Sequence, residues 1–164
     1  MKYLIILLFI VSLPFVSCEV LDEEIVSGVT SEYLNTQGGL DAGVNAAYSH
    51  LRSYYGQEWG ANLTVFGTDE YTHGGHGGNH YMDKYDAGLN AESGNFWNLW
   101  SNFYQAINTC NAVIGRATAS EDLTDAQKNP KIAEARFLRA HYYFILVQNF
   151  GPVYLTLDET VGVE

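Results

Sequence analysis

A stretch of mixed chemistry lies near the middle of the chain, between Thr68 and Asp83. It combines aromatic, amide and carboxylate side chains with four glycines, so its backbone is free to bring them together. An aromatic ring can pack on the C–H face of a sugar ring, while amides and carboxylates take hydrogen bonds from its hydroxyl groups. The residues that we predict to contact such a ligand are Trp59, Tyr71, Asn79, Tyr81 and Tyr85. The alternative is a surface loop whose tyrosines pack on neighbouring helices.

Three histidines in the same stretch, His73, His76 and His80, are candidate metal ligands. Imidazole is a good ligand for zinc, copper and nickel. The glycines between them disfavour the helix that would align the three rings, and none of the established zinc-ligand spacings is present. The glycine pairs also lack the lysine that follows a phosphate-binding loop. The sequence therefore predicts no metal and no cofactor.

Carboxylates of this region could in principle flank a glycosidic bond. Asp69 with Asp83 or Asp86 would form such a pair. A glycosidase requires a defined separation between its two carboxylates, and nothing in the sequence sets one. We therefore do not predict an enzyme.

The overall charge excludes a further class of partner. The 164 residues include 8 Lys+Arg against 19 Asp+Glu, for a formal net charge of -11. Nucleic-acid binding requires a basic surface that neutralises phosphates, and no such patch is present. Hydrophobic residues make up 47% of the chain, which is enough for a folded core.

The first 17 residues have the pattern of an export signal. A positive start at Lys2 precedes an apolar run that is shorter than a membrane span and contains Pro14. The run ends at Phe15-Val16-Ser17-Cys18, which resembles a bacterial lipobox with Phe in place of the usual Leu. We predict a lipoprotein signal peptide over residues 1–17, lipidation (palmitate) of Cys18, and an acidic tether over residues 18–37. An ordinary signal peptide cut elsewhere is the alternative.

The mature chain shows the periodicity of α-helices. A first apolar pattern runs from Leu40 to Tyr55, and a second from a cap at Ser93 to about Gly115. A third ends at residues 150–152 and begins either at a capping box at residues 124–127 or at Pro130. The glycine-rich residues 56–92 between the first two patterns read as a long loop. The pattern predicts an all-α fold whose last two helices form an antiparallel hairpin, followed by an extended segment from residue 153.

The apolar stripe of these helices is expected to form the core. Its large members are Phe96, Trp100, Phe103 and Tyr142, with Cys110 as a small buried hydrophobe. The charged residues Glu134, Arg136 and Arg139 lie two, three and five positions apart and do not converge on one point. We interpret them as structural, with a partly buried arginine that ties the helix to a loop.

Three segments resemble the SusD/RagB family: FWNLW at residues 96–100 and the helix after it, EARFLRAHYYF at residues 134–144, and FGPV at residues 150–153. The resemblance implies tetratricopeptide-like helical hairpins in a surface-exposed, lipid-anchored outer-membrane lipoprotein of Bacteroidota. It also implies binding of oligosaccharide or polysaccharide and pairing with a SusC-like TonB-dependent transporter. Family members are longer, so residues 38–164 are expected to be the amino-terminal part of a SusD-like helical domain.

Three functions therefore remain as hypotheses. The first is a non-catalytic glycan-binding lipoprotein that captures oligosaccharides for the transporter. The second is a structural or peptide-binding helical-repeat lipoprotein, since such scaffolds bind many ligand classes. The third, a surface glycosidase, is the weakest.

Overall fold

Helices form the regular secondary structure of the described part of the chain, as the sequence predicts. The computed structural model describes residues 33–72, 74, 75 and 78–162. A 3-10 helix, Tyr33–Asn35, precedes helices α1 (Gln37–Ser49), α2 (Arg52–Tyr55), α3 (Glu58–Val65), α4 (His80–Lys84), α5 (Gly94–Ala119) and α6 (Asp125–Phe150). The all-α fold is confirmed. The predicted signal peptide, Cys18 and most of the predicted tether lie outside the described residues.

The long helices α5 and α6 form the predicted hairpin, 26 residues on each side of a short polar link. The capping box at Thr124 marks the start of α6: Gln127 Oε1 accepts a hydrogen bond of 2.9 Å from the Thr124 N–H. Pro130 therefore lies inside the helix and is not its first residue. At the other end, Gly151 adopts a φ of 72°, which suits glycine and stops α6 after Phe150.

The core lies between this hairpin and α1. Its fully buried large side chains include Leu40 and Val44 of α1, Phe103 of α5 and Tyr142 of α6. The Tyr142 hydroxyl donates a hydrogen bond to the backbone carbonyl of Ala47, which joins α6 to α1. Burial raises the pKa of this hydroxyl, so it remains a donor.

Two predictions about the first half of the chain were wrong in detail. The single helix expected from Leu40 to Tyr55 is interrupted after Ser49. Hydrogen bonds from Ser53 Oγ to the His50 carbonyl and from the Leu51 N–H to the Tyr48 carbonyl tighten the backbone at this point.

The region predicted as one loop, residues 56–92, contains the short helices α3 and α4. Helix α3 packs closely against α2 at Gly60, which is buried beside the Tyr54 carbonyl; a Cβ atom on Gly60 would lie 1.9 Å from that oxygen. This contact is tertiary and leaves no periodic signal in so short a helix.

A segment without regular secondary structure, residues 153–160, follows α6 and lies along the hairpin; we call it the strap. Its backbone is held by side chains of both long helices. Asn111 Nδ2 donates to the carbonyls of Thr156 and Asp158, and Asn108 exchanges two hydrogen bonds with the backbone of Thr160. Arg139 Nη1 donates to the Leu157 carbonyl at 3.3 Å. The predicted arginine that ties helix to loop is therefore Arg139.

The other two charges of that motif have separate surroundings. Glu134 lies 3.5 Å from Lys131 Nζ in an ion pair, whereas the Arg136 side chain is exposed. The prediction that the three do not converge on one point is confirmed. None of the described helices combines the length and the apolar character needed to cross a membrane.

Candidate ligand-binding cleft

An open cleft of about 520 Å³ lies where the first turns of α5 meet the last turn of α6. The loop before α5 forms its third side. Its lining residues are Leu89, Asn90, Ala91, Phe96, Trp97, Trp100, Asn149 and Phe150. Four of these eight are aromatic, so most of the wall presents flat apolar surface to solvent.

Three of the aromatic rings of the cleft contact one another. The Phe150 ring meets Trp100 edge to face, with centroids 5.1 Å apart, and Phe96 with centroids 6.1 Å apart. Trp100 also contacts Tyr104 at 4.8 Å. Trp97 has no ring partner among the described residues and is 64% exposed. An exposed indole beside a rigid aromatic wall is a surface on which an apolar ring face can stack.

Two asparagines supply polar groups at the rim. Asn149 Nδ2 donates to the Ile145 carbonyl at 2.9 Å, and its Oδ1 accepts no hydrogen bond from the described residues. Asn90 holds the loop: its Nδ2 donates to the Ala87 carbonyl, and its Oδ1 accepts from the Glu92 N–H. The Asn149 oxygen is therefore available to a donor on a ligand, such as a hydroxyl group.

The prediction that Phe96 and Trp100 belong to the core was wrong in part. Phe103 and Tyr142, from the same predicted stripe, are fully buried. Phe96 and Trp100 are only partly buried and line the cleft. The reason is that α6 ends at Phe150, so this part of α5 has only the last turn of α6 beside it.

None of the five predicted contact residues lines this cleft. Trp59 is partly buried and packs against the core from α3. Tyr71 is 59% exposed in the loop after α3. Tyr85 is 66% exposed, with a left-handed φ of 50°, and its hydroxyl donates to the Gly67 carbonyl.

Asn79 and Tyr81 form a hydrogen-bonded cluster with the start of α5. The Tyr81 hydroxyl lies 2.8 Å from Ser93 Oγ, and Asn95 Nδ2 donates to both the Tyr81 hydroxyl and Asn79 Oδ1. Asn95 is buried, so this cluster fixes the predicted loop to the helix that carries Trp97 and Trp100. The structure thus places two predicted contact residues beside the start of α5, where they hydrogen-bond to Ser93 and Asn95 and do not line the cleft.

Of the three histidines considered as metal ligands, the structure describes one. His73 and His76 lie outside the described residues, while His80 begins α4. Within the ranges that the structure describes, no three His, Cys, Asp or Glu side chains are grouped so that they could hold a metal ion.

Asp83, one of the carboxylates considered for a glycosidase, has a structural role. Asp83 Oδ1 accepts from the Gly67 N–H at 3.1 Å and Oδ2 from the Thr72 hydroxyl at 3.3 Å. The buried Cys110 is equally unsuited to chemistry, because burial raises the pKa of its thiol to about 12.

Comparison with known proteins gives a consistent result. A family model described as SusD-like, "starch-binding associating with outer membrane", matches residues 20–162. A SusD-like protein of Bacteroides ovatus is 36% identical over 66 residues, which are 39% of this chain and 12% of the relative. SusD-like protein P2 of Formosa agariphila is 27% identical over 158 residues, which are 93% of this chain and 31% of the relative. The chain thus spans less than a third of the length of either curated relative.

Proposed function

Because this chain belongs to the SusD-like family of starch-binding proteins that associate with the outer membrane, we propose that its aromatic cleft binds a sugar unit of an oligosaccharide at the bacterial surface. The observation that carries this proposal is the Trp97 indole, which is 64% exposed at the edge of a cleft with three further aromatic rings. A pyranose stacked on Trp97 would bury its C–H face and place a hydroxyl within reach of Asn149 Oδ1. The residues that line this cleft include no carboxylate that could act on a glycosidic bond.

The cleft is rigid enough to act as a preformed site. Phe150 is held by two ring contacts and by the end of α6, and the loop opposite is held by Asn90. A wall that is ordered before the ligand arrives costs little conformational entropy on binding. Tyr71 and Tyr85, both exposed in the predicted loop, are proposed as additional contacts for a longer chain of sugars.

The function is proposed to be capture and transfer, without catalysis. Cys18 anchors the protein to the outer membrane through its acyl chains, and a SusC-like TonB-dependent transporter receives the oligosaccharide. One member of the predicted carboxylate pairs supports this proposal: the Asp83 carboxylate accepts hydrogen bonds from the Gly67 N–H and the Thr72 hydroxyl.

The test is affinity electrophoresis of the purified protein in gels that contain one polysaccharide each, starch among them. We expect retarded migration with at least one glycan and no release of reducing ends during incubation. Migration unchanged across the whole panel would refute glycan binding. Release of reducing ends would instead favour a glycosidase, and retention by immobilised peptides alone would favour a peptide-binding protein.

A further inference from the structure

We infer that the cleft selects uncharged sugars and discriminates against glycans that carry carboxylate or sulfate groups. The inference rests on the proposed function, because it specifies which chemical class of glycan the same cleft accepts. It follows from the charges around the cleft and from the hydrogen-bonding groups that the cleft offers.

The lining of the cleft contains no ionisable residue. It consists of four aromatic side chains, two asparagines, Leu89 and Ala91. An anionic group that enters such a site loses part of its hydration, and no lysine or arginine compensates for that loss. A neutral hydroxyl loses far less and can be satisfied by a single amide.

The helix segments that form the cleft also lack charged side chains. Residues 93–115 and residues 140–157 contain no Asp, Glu, Lys or Arg. In the loop, the ionisable residues that flank the lining positions are Asp86 and Glu92, both acidic and both exposed. The charges nearest to the lining positions along the loop are therefore negative, in keeping with the net charge of -11 for the whole chain.

Three cations of the long helices lie far from the cleft and are paired with other residues. Arg116 pairs with Glu159 at 3.0 Å, and it is 16 residues beyond Trp100, about 24 Å along α5. Lys131 pairs with Asp41 at 3.0 Å, and it is 18 residues before Asn149, about 27 Å along α6. Arg139, ten residues before Asn149 or about 15 Å along α6, is hydrogen-bonded to Asn111. All three separations exceed the screening length of about 8 Å at physiological ionic strength.

One acceptor atom of the lining also favours a hydroxyl group over an anionic group. Asn149 Oδ1 is an acceptor and therefore pairs with a hydroxyl donor on the ligand. Sulfate and carboxylate oxygens are acceptors at neutral pH, so they would meet this oxygen without a proton to share. The charge of the lining and this acceptor thus disfavour the same ligands.

The experiment compares matched glycans that differ only in charge. The purified protein is run in gels with soluble starch, pullulan or xylan, and then with the C6-oxidised or the sulfated form of each glycan, whichever its sugar units allow. We expect about 5-fold or greater weakening on the charged form at low salt, with a smaller difference at about 0.5 M salt. Equal or tighter binding of the charged forms would overturn the inference while leaving glycan binding in place. Retention on no glycan of either kind would overturn the proposed function and this inference with it.

A second experiment introduces a positive charge into the cleft wall. Ala91 is an exposed lining residue, so Ala91→Lys adds a cation at the cleft with little effect on folding. We expect this variant to bind the charged glycan about 3- to 5-fold more tightly than the unmodified protein does. The matched control is Ala133→Lys on the exposed side of α6, which adds the same charge outside the cleft. Equal gains in the two variants would show that overall charge, and not the lining, sets the preference.

Discussion

Arg139 and Asn111 meet across the α5–α6 hairpin, where the arginine Nη1 donates a hydrogen bond of 2.7 Å to the Asn111 Oδ1. The same asparagine donates through Nδ2 to two carbonyls of the strap. Asn111 is 1% exposed, so its amide is satisfied almost entirely by protein groups. This pair therefore links both long helices and the strap in one partly buried polar contact.

Removal of the arginine tests the strength of that contact. In Arg139→Ala the Asn111 oxygen loses its partner inside the protein, which we expect to lower the free energy of unfolding by about 2 kcal/mol. Urea denaturation followed by circular dichroism measures it. Arg136→Ala, an exposed arginine on the same helix, is the matched control and should change stability by less than about 0.5 kcal/mol. Equal effects of the two substitutions would contradict the structural role of Arg139.

The turn between α2 and α3 depends on a glycine. Gly60→Ala would place a methyl group against the Tyr54 carbonyl, so we expect a loss of about 2–3 kcal/mol in thermal or urea unfolding. Gly115, inside α5, has no atom within 4 Å of its would-be Cβ. Gly115→Ala should instead stabilise the protein by about 0.5–1 kcal/mol through helix propensity. A neutral Gly60→Ala variant would show that α3 does not pack on Tyr54 in this way.

Alkaline pH should weaken the fold through Cys110. Burial raises the pKa of its thiol from 9.0 to about 12, although the nearby Arg139 acts in the opposite direction. The unfolded chain releases this proton near pH 9 while the folded chain retains it, so the stability is complete below pH 9 and falls between pH 9 and 12. The slope approaches about 1.4 kcal/mol per pH unit. Cys110→Ala should lack this part of the decline between pH 9 and 10, and parallel pH profiles of the two proteins would refute the assignment.

Sugar binding should depend on one exposed indole. Trp97→Ala removes the stacking surface, and we expect at least about tenfold weaker retention on a bound glycan. Phe137 is a suitable control because it is 70% exposed, against 64% for Trp97, and lies on α6 outside the cleft. Phe137→Ala should bind like the unmodified protein. If both variants bound equally well, the ligand would lie elsewhere, and Tyr71 and Tyr85 would be the next residues to replace.

Lipid attachment should require Cys18. The chain has two cysteines, and Cys110 is buried in the core, so each serves as the control for the other. Cells fed with labelled palmitate should label the unmodified protein and Cys110→Ala, but not Cys18→Ala. The membrane fraction should lose the Cys18→Ala protein for the same reason. Label retained in Cys18→Ala would point to a signal peptide cut elsewhere.

Local patterns in the sequence were sufficient for the long helices. The spacing of Phe103, Ile107 and Cys110 placed α5, and the capping box at Thr124 placed the start of α6, because these signals depend on neighbours within one or two turns. The alternative start at Pro130 was wrong, since the capping box lies one and a half turns earlier and already satisfies the helix end. A partly buried arginine that ties the helix to a loop was also predicted, because a buried charge requires a partner, and the structure identifies it as Arg139.

The cleft was decided by the tertiary structure. Phe96 and Trp100 continue the same apolar stripe as Phe103, and periodicity alone cannot distinguish a side chain covered by a facing helix from one beyond its end. Only the packed hairpin shows that α6 stops at Phe150 and leaves these rings beside an open cleft. In the same way, Asn79 and Tyr81 have side chains that are typical of a sugar site, but both accept hydrogen bonds from Asn95. Asn95 lies 16 positions after Asn79 and 14 after Tyr81, so local patterns did not indicate these contacts. The sequence by itself thus determined the helices and the kind of side chains available, whereas which of them face solvent depended on how distant segments pack.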